Sequence, residues 1–189
     1  LVLHISINAS AQTKCMFVVS SDPLADGDQV INDKLVEWGY EVTPMLASDL
    51  AFLFLEEITA FDIAVASESI GSADLGQGEF RPIPIPLLLL EGFAAKPGAL
   101  DWQTVRNGDD YPTEPVKIVD DTGHPLAAGF ANGDNVTLCT DGSILGFAPE
   151  IPIIPIAAMT SNETMQVIYA VEAGTQNVKG ETIESNIAV

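Results

Sequence analysis

The sequence predicts an α/β protein: a doubly wound sheet with central parallel strands and a strand-like arm at its front. Three observations carry this. Short, continuous apolar runs such as "CMFVV" and "PLLLL" read as strands buried on both faces. Between the first two strand-like runs lies a stretch with helical spacing and clear end signals. Strand, helix, strand, helix-like segment, strand, loop, strand is the order that winds such a sheet.

The elements follow in order. "CMFVVSS" (15–21) is the first central strand, ending in small polar residues. Asp26 is placed to cap the following helix, with Gln29 three residues on as the other half of a capping box. Val30, Ile31, Leu35 and Trp38 are expected on one helical face, and Gly39 ends the helix in the left-handed conformation. "YEVTPML" is the second strand. "SDLAFLFLEEITA" holds a short helix, and "FDIAVAS" (61–67) is the third strand. After the Gly-rich "ESIGSADLGQGEF", "IPLLLLEG" supplies the fourth.

The second half consists of short strand-like segments, "PVKIVDD", "NVTLCTDG", "IPIIPIAAM" and "MQVIYAVEAG", divided by turn clusters such as "DDTGHP" and "ANGDN". Pro152 and Pro155 confine their segment to an edge or an irregular stretch. "ESNIAV" reads as a last strand. Residues 15–189 form one domain. Residues 1–14 are an arm and hinge in which Leu3, Ile5 and Ile7 alternate with polar residues, the period of a half-buried strand. "ASA" resembles a signal cleavage site, but no basic region precedes it and His4, Ser6 and Asn8 interrupt the apolar run, so the strand is preferred.

Seven Lys and Arg against 27 Asp and Glu give a formal charge of −20. Such a surface repels phosphate backbones and anionic lipid, which argues against nucleic acid and membrane surfaces as partners. No apolar run reaches the ~18 residues of a membrane span. Cys15 and Cys139 allow one bridge or two buried thiols. Asn8, Asn135 and Asn162 head N-x-S/T sequons, each a surface site if the chain is secreted by a eukaryote.

"FVVSSDPLADGDQVINDKLVEWGYEVTPM", "FDIAVASESIGSADLG", "IPLLLLEGFA" and "IVDDTGHPLAAGF" resemble a domain of secreted bacterial proteins. That domain belongs to the glutamine-amidotransferase-like, flavodoxin-like group, near its ThuA-like branch. The resemblance covers roughly residues 15–189 and rests on strand order and phrases such as "WGYEV" and "GHPLAAG". It implies a three-layer sandwich with a mostly parallel sheet. Active amidotransferases of this fold carry a Cys in a tight elbow after the fourth strand, with a later His and an acid. Here "LLLLEGF" puts Glu91 and Gly92 at that elbow, so the Cys–His–acid set lacks its first member. The family pattern also continues into a closing helix beyond the final strand, so one flank of the sheet is expected to lie open.

Glu91 is expected at the carboxyl end of a central strand, where open α/β sheets bind ligands, beside Ser67, Glu68 and Ser69. With His124 in reach, Glu91 could act as a base or metal ligand. The plainer alternative is that Glu91 caps a nearby helix and that His124, just before Pro125, bonds to backbone. Two histidines without clustered cysteines argue against zinc. The acidic turns "NGDDYPTE", "DDTG" and "NGDN" do not have EF-hand spacing, and "GSADLGQGEF" has neither a Walker lysine nor a dinucleotide glycine pattern. No metal or cofactor is expected. Trp102, Tyr111 and Phe130 are candidates for stacking on sugars or, more plainly, for packing.

The expectation is a non-catalytic, extracellular protein that assembles with copies of itself into a filament. The arm would be donated to a neighbour with Leu3, Ile5 and Ile7 buried. The arm could equally fold back on its own sheet. The rivals are a carbohydrate-binding module and a hydrolase using Glu91 and His124.

Overall fold

In the computed structural model, residues 12–72, 83–140 and 142–189 are described. The predicted arm, with Leu3, Ile5, Ile7 and the Asn8 sequon, lies outside them. The protein is α/β: among the described residues, eleven strands join in one mixed sheet with few helices.

The parallel half is β2 (Glu41–Leu46), β1 (Lys14–Val19), β3 (Ile63–Ala66), β4 (Leu87–Leu89) and β11 (Ile187–Ala188), side by side in that order. The sheet then reverses. β10 (Gln166–Val171) runs antiparallel to β11, β9 (Ile154–Met159) antiparallel to β10, and β6 (Val116–Ile118) and β7 (Asn135–Val136) complete the edge. A branch of β8 (Ser143–Phe147) and β5 (Gly108–Pro112) leaves β10. The sheet is therefore mixed, and parallel only across β2, β1, β3, β4 and β11, not mostly parallel as expected. Short links such as 160–165, between β9 and β10, cannot make the crossover that a parallel pair needs.

Alternation divides the core. Cys15, Phe17 and Val19 of β1 face helix α1 (Asp26–Glu37), which contributes Leu35 and Ile31. Met16 and Val18 face the other way, with Ala64, Ala66, Leu87 and Leu89. That face is covered by a 3-10 turn at Ala47–Phe52, the one-turn α2 (Leu55–Ile58) and a 3-10 turn at Gly92–Ala95. Both faces are thus covered, but one side has only short turns.

Several expectations change in detail. Asp26 is the first helical residue and Ala25 the cap, with no side-chain cap bond; Gln29 Nε2 donates to Asp33 Oδ1 at 2.7 Å instead. Gly39, at φ +95°, ends the helix as expected. Of the predicted face only Leu35 is buried and Ile31 half-buried, while Val30 and Trp38 are exposed. Val30 lies about 140° around the axis from Leu35. "GDDYP", read as an acidic turn, is strand β5, and β8 had no counterpart in the sequence reading. Pro155 sits in an interior strand, not an edge. It is tolerated because β6 pairs with β9 only from Ala157 onward and the β9–β10 register is broken by irregularities.

Candidate functional site

The carboxyl ends of the parallel strands bring four of the five predicted crevice residues to one region, but not in one arrangement. Ser67 follows β3 and is buried. Its Oγ donates to Asp28 Oδ1, a short hydrogen bond, and accepts from Ser69 N at 3.1 Å. Ser69 Oγ in turn accepts from Ser20 N at 3.3 Å, tying the end of β1 to the end of β3. Asp28, in the first turn of α1, is the residue the sequence reading missed. It is buried and its Oδ2 has no hydrogen-bond partner. Only its place two residues into the helix, near the positive end of the dipole, marked it in the sequence.

Glu91 is also buried, and its Oε1 accepts from Phe93 N at 2.9 Å, capping the turn at Gly92–Ala95. This is the plainer of its two predicted roles. Burial lifts its carboxyl above the ordinary range. The Phe93 amide opposes the rise, the nearby Glu68 charge adds to it, and Lys96 opposes it. Glu68 lines a hollow of about 320 Å³ with Leu89, Leu90, Gly92, Leu145 and Val189. Ser67 turns to Asp28 of α1 and Ser69 to Ser20 at the end of β1, and neither lines that hollow.

His124 is not brought to Glu91. It caps the 3-10 turn Pro125–Ala127, its Nδ1 accepting from Leu126 N at 3.2 Å. Asp120 anchors the loop, accepting from Thr122 Oγ1 at 2.6 Å and His124 N at 2.6 Å. These bonds, those from Thr122 first, hold the Asp120 carboxyl below its usual range. His124 lines a different hollow of about 420 Å³, with Ile63, Pro86 and Asn186, residues at the amino-terminal starts of β3, β4 and β11. The pairing of Glu91 with His124 therefore fails on geometry, because they sit at opposite ends of the parallel strands.

This second hollow is the more apolar. Leu88 and Ile63 belong to the cluster on the α1 side of the sheet, and Leu126 and Ile154 to the cluster of the antiparallel half. It lies between the two clusters. Chain entry is adjacent: Lys14 N donates to Asp62 Oδ2 at 2.7 Å, and Cys15 is in register with Ile63.

Other candidates resolve simply. Trp102 is a core residue, edge-on to Tyr169 at 6.1 Å, Tyr111 is half-buried, and Phe130 is exposed. Cys15 and Cys139 are both free thiols, and burial pushes Cys15 up to about 11. Asn135 and Asn162 are exposed. Among the described residues, no group of three or more His, Cys, Asp or Glu is arranged to hold a metal ion, and no helix is long and apolar enough to cross a membrane.

No family model matches the chain, and no curated protein matches it. Among solved structures, PurLQS from Thermotoga maritima is similar at TM-score 0.49 and 12% identity, over 94% of this chain and 85% of that one.

Proposed function

We propose that the protein is a non-catalytic, extracellular structural module that assembles with copies of itself. It would be kin to the amidotransferase-like, ThuA-like group in fold but not in chemistry. The observation that carries this reading is the apolar hollow at the amino-terminal ends of the strands, beside the point where the chain enters β1. Residues 1–11 of one copy are the occupant. Their alternating Leu3, Ile5 and Ile7 offer one apolar edge, and eleven extended residues span at most about 36 Å. Contact of this head-to-tail kind propagates unless its rotation closes a ring. The exposed Asn135 and Asn162 sequons are compatible with a glycosylated surface in an extracellular setting.

Sedimentation velocity over a range of concentrations, with negative-stain microscopy, tests the proposal. The intact chain should form larger species as concentration rises. Deleting residues 1–11 should leave a folded monomer, and Leu126→Glu, at the rim of the hollow, should weaken assembly without unfolding the core. A truncated chain that sediments like the intact one would overturn the reading.

A further inference from the structure

A second apolar surface lies at the opposite end of the parallel strands. A cleft of about 500 Å³ opens over the carboxyl ends of β1 and β2, floored by Val19, Met45, Leu46 and Leu53. Ser21, Asp22 and Asp49 complete its wall. Leu53 packs inward against the core, but its neighbours do not. Phe52 is 81% exposed, Phe54 73% and Leu55 58%. Two phenyl rings and a leucine held out to water within four residues of chain, flanking cleft-lining Leu53, are a cluster rather than a scattered apolar residue.

Local structure explains why these side chains stay outside. The 3-10 turn Ala47–Phe52 and α2 direct Ala47, Leu50 and Ile58 into the core. Glu57 Oε2 accepts from Phe54 N at 2.8 Å, fixing the start of α2 and leaving the Phe54 ring on the outer side.

The charges around this surface are of one sign. No lysine or arginine occurs between Lys34 and Arg81, whereas Asp49, Glu56 and Glu57 fall within the segment itself and Asp22 faces it across the cleft. A second copy brings the same −20 charge, and Lys34, Lys117 and Lys179 are already paired within the chain, with Glu37, Glu163 and Asp101. Anionic lipid and nucleic acid are repelled by the same field.

We propose that this surface docks a cationic, amphipathic segment of a different protein. Its apolar side chains enter the cleft and cover the neighbouring Phe52 and Phe54, and its Lys or Arg side chains meet Asp22, Asp49 and Glu56. The phenyl faces add cation–π attraction for those same cations. Apolar anchors supply affinity and the surrounding carboxylates supply orientation and on-rate.

The probe is a short amphipathic Leu–Lys peptide carrying a fluorophore, with its Leu–Glu counterpart as control. Binding is read by anisotropy on the full chain at about 0.15 M ionic strength, where the Debye length is about 8 Å. Any polyanion attracts a polycation, so location is the decisive result. Phe52→Ser with Phe54→Ser keeps the net charge and removes no core contact; it should weaken binding about tenfold or more. Asp22→Asn with Asp49→Asn should weaken it several-fold, roughly the scale of rim charges. Asp109→Asn with Asp110→Asn removes the same charge from exposed β5 and should leave affinity within about twofold. Equal loss for both acidic pairs, or unchanged binding in the double Phe variant, would overturn the proposal. So would a change in sedimentation of the double Phe variant alone, since that would assign the surface to contacts between copies.

Discussion

Replacing Gly92 with alanine tests why the elbow after the fourth strand carries the residues it does. Gly92 has an ordinary backbone conformation, so no left-handed strain demands glycine; the demand is for space. A Cβ there would stand 2.5 Å from Phe147 Cε2, 3.1 Å from Cζ and 3.3 Å from Leu145 Cδ1. Phe147 has little room to yield. It is buried, lies edge-on to Phe93 at 5.3 Å, and packs over Gly108, where an added Cβ would stand 2.3 Å from its ring. Overpacking of this kind costs about 1–3 kcal/mol. At about 2–4 °C per kcal/mol for a chain of this size, the expected drop in Tm is about 2–12 °C. Urea unfolding of wild type, Gly92→Ala, Phe147→Leu and the double variant measures it as a cycle. Shrinking the ring should relieve the clash, so the double variant should exceed the additive stability by about 0.5–3 kcal/mol. A Gly92→Ala change within about 0.5 kcal/mol of wild type, the range of an ordinary surface substitution, would refute the argument.

Two further outcomes follow from the buried polar groups. Because burial raises the Glu91 carboxyl, the folded protein holds that proton more tightly than the unfolded chain. Wild type therefore loses stability as pH rises through the ordinary carboxyl range near ~4.3 toward the raised folded value. Glu91→Gln keeps an acceptor for Phe93 N and should gain stability relative to wild type as pH rises above the ordinary carboxyl range; a pH-independent difference in urea midpoint would contradict this. Ser67→Ala removes the one donor to buried Asp28 and an acceptor for Ser69 N, and should cost about 1–3 kcal/mol. Ser69→Ala, which loses only the longer bond from Ser20 N, should cost less, and equal losses would argue against the Asp28 pairing as the stabilising contact.

The first half of the fold was legible because its central strands β1, β3 and β4 are buried on both faces. "CMFVV", "IAVA" and "LLL" have no polar alternation to confuse, and Gly39 marks where α1 stops. The α1 face was misplaced because Val30 and Trp38 supply apolar letters at near-helical spacing without being buried. A count of apolar residues does not distinguish a core stripe from an exposed patch. The reversal of the sheet was not legible, since the strands of the second half were read but not their pairing. It is made by β11, only two residues long, which pairs parallel with β4 and antiparallel with β10. Strand β5 escaped for a different reason: "GDDYP" has the composition of a turn and is held as a strand by its ladder to β8. At the candidate site, Glu91 and Ser67 were placed correctly by strand order, whereas the partner of Ser67 lies 39 residues earlier on a helix. No local pattern connects Asp28 to Ser67.

The two proposed contacts use opposite ends of one set of parallel strands, and that separation has a physical basis. At the carboxyl ends, Ser67, Ser69 and Glu91 are committed to hydrogen bonds that close the β1–α1–β3 junction and the β4 elbow. The Phe52–Leu55 segment faces outward at that end, with the cleft beside it, apart from the hollow that Glu68 lines. At the amino-terminal ends, the hollow between the two apolar clusters lies beside Lys14. A segment seated in that hollow touches none of Asp22, Asp49, Phe52 or Phe54. Assembly through one end thus leaves the acidic aromatic surface of every copy exposed, and a repeated array would present it many times over. Repetition raises the apparent affinity for a multivalent cationic partner by effective concentration alone, with no new contact.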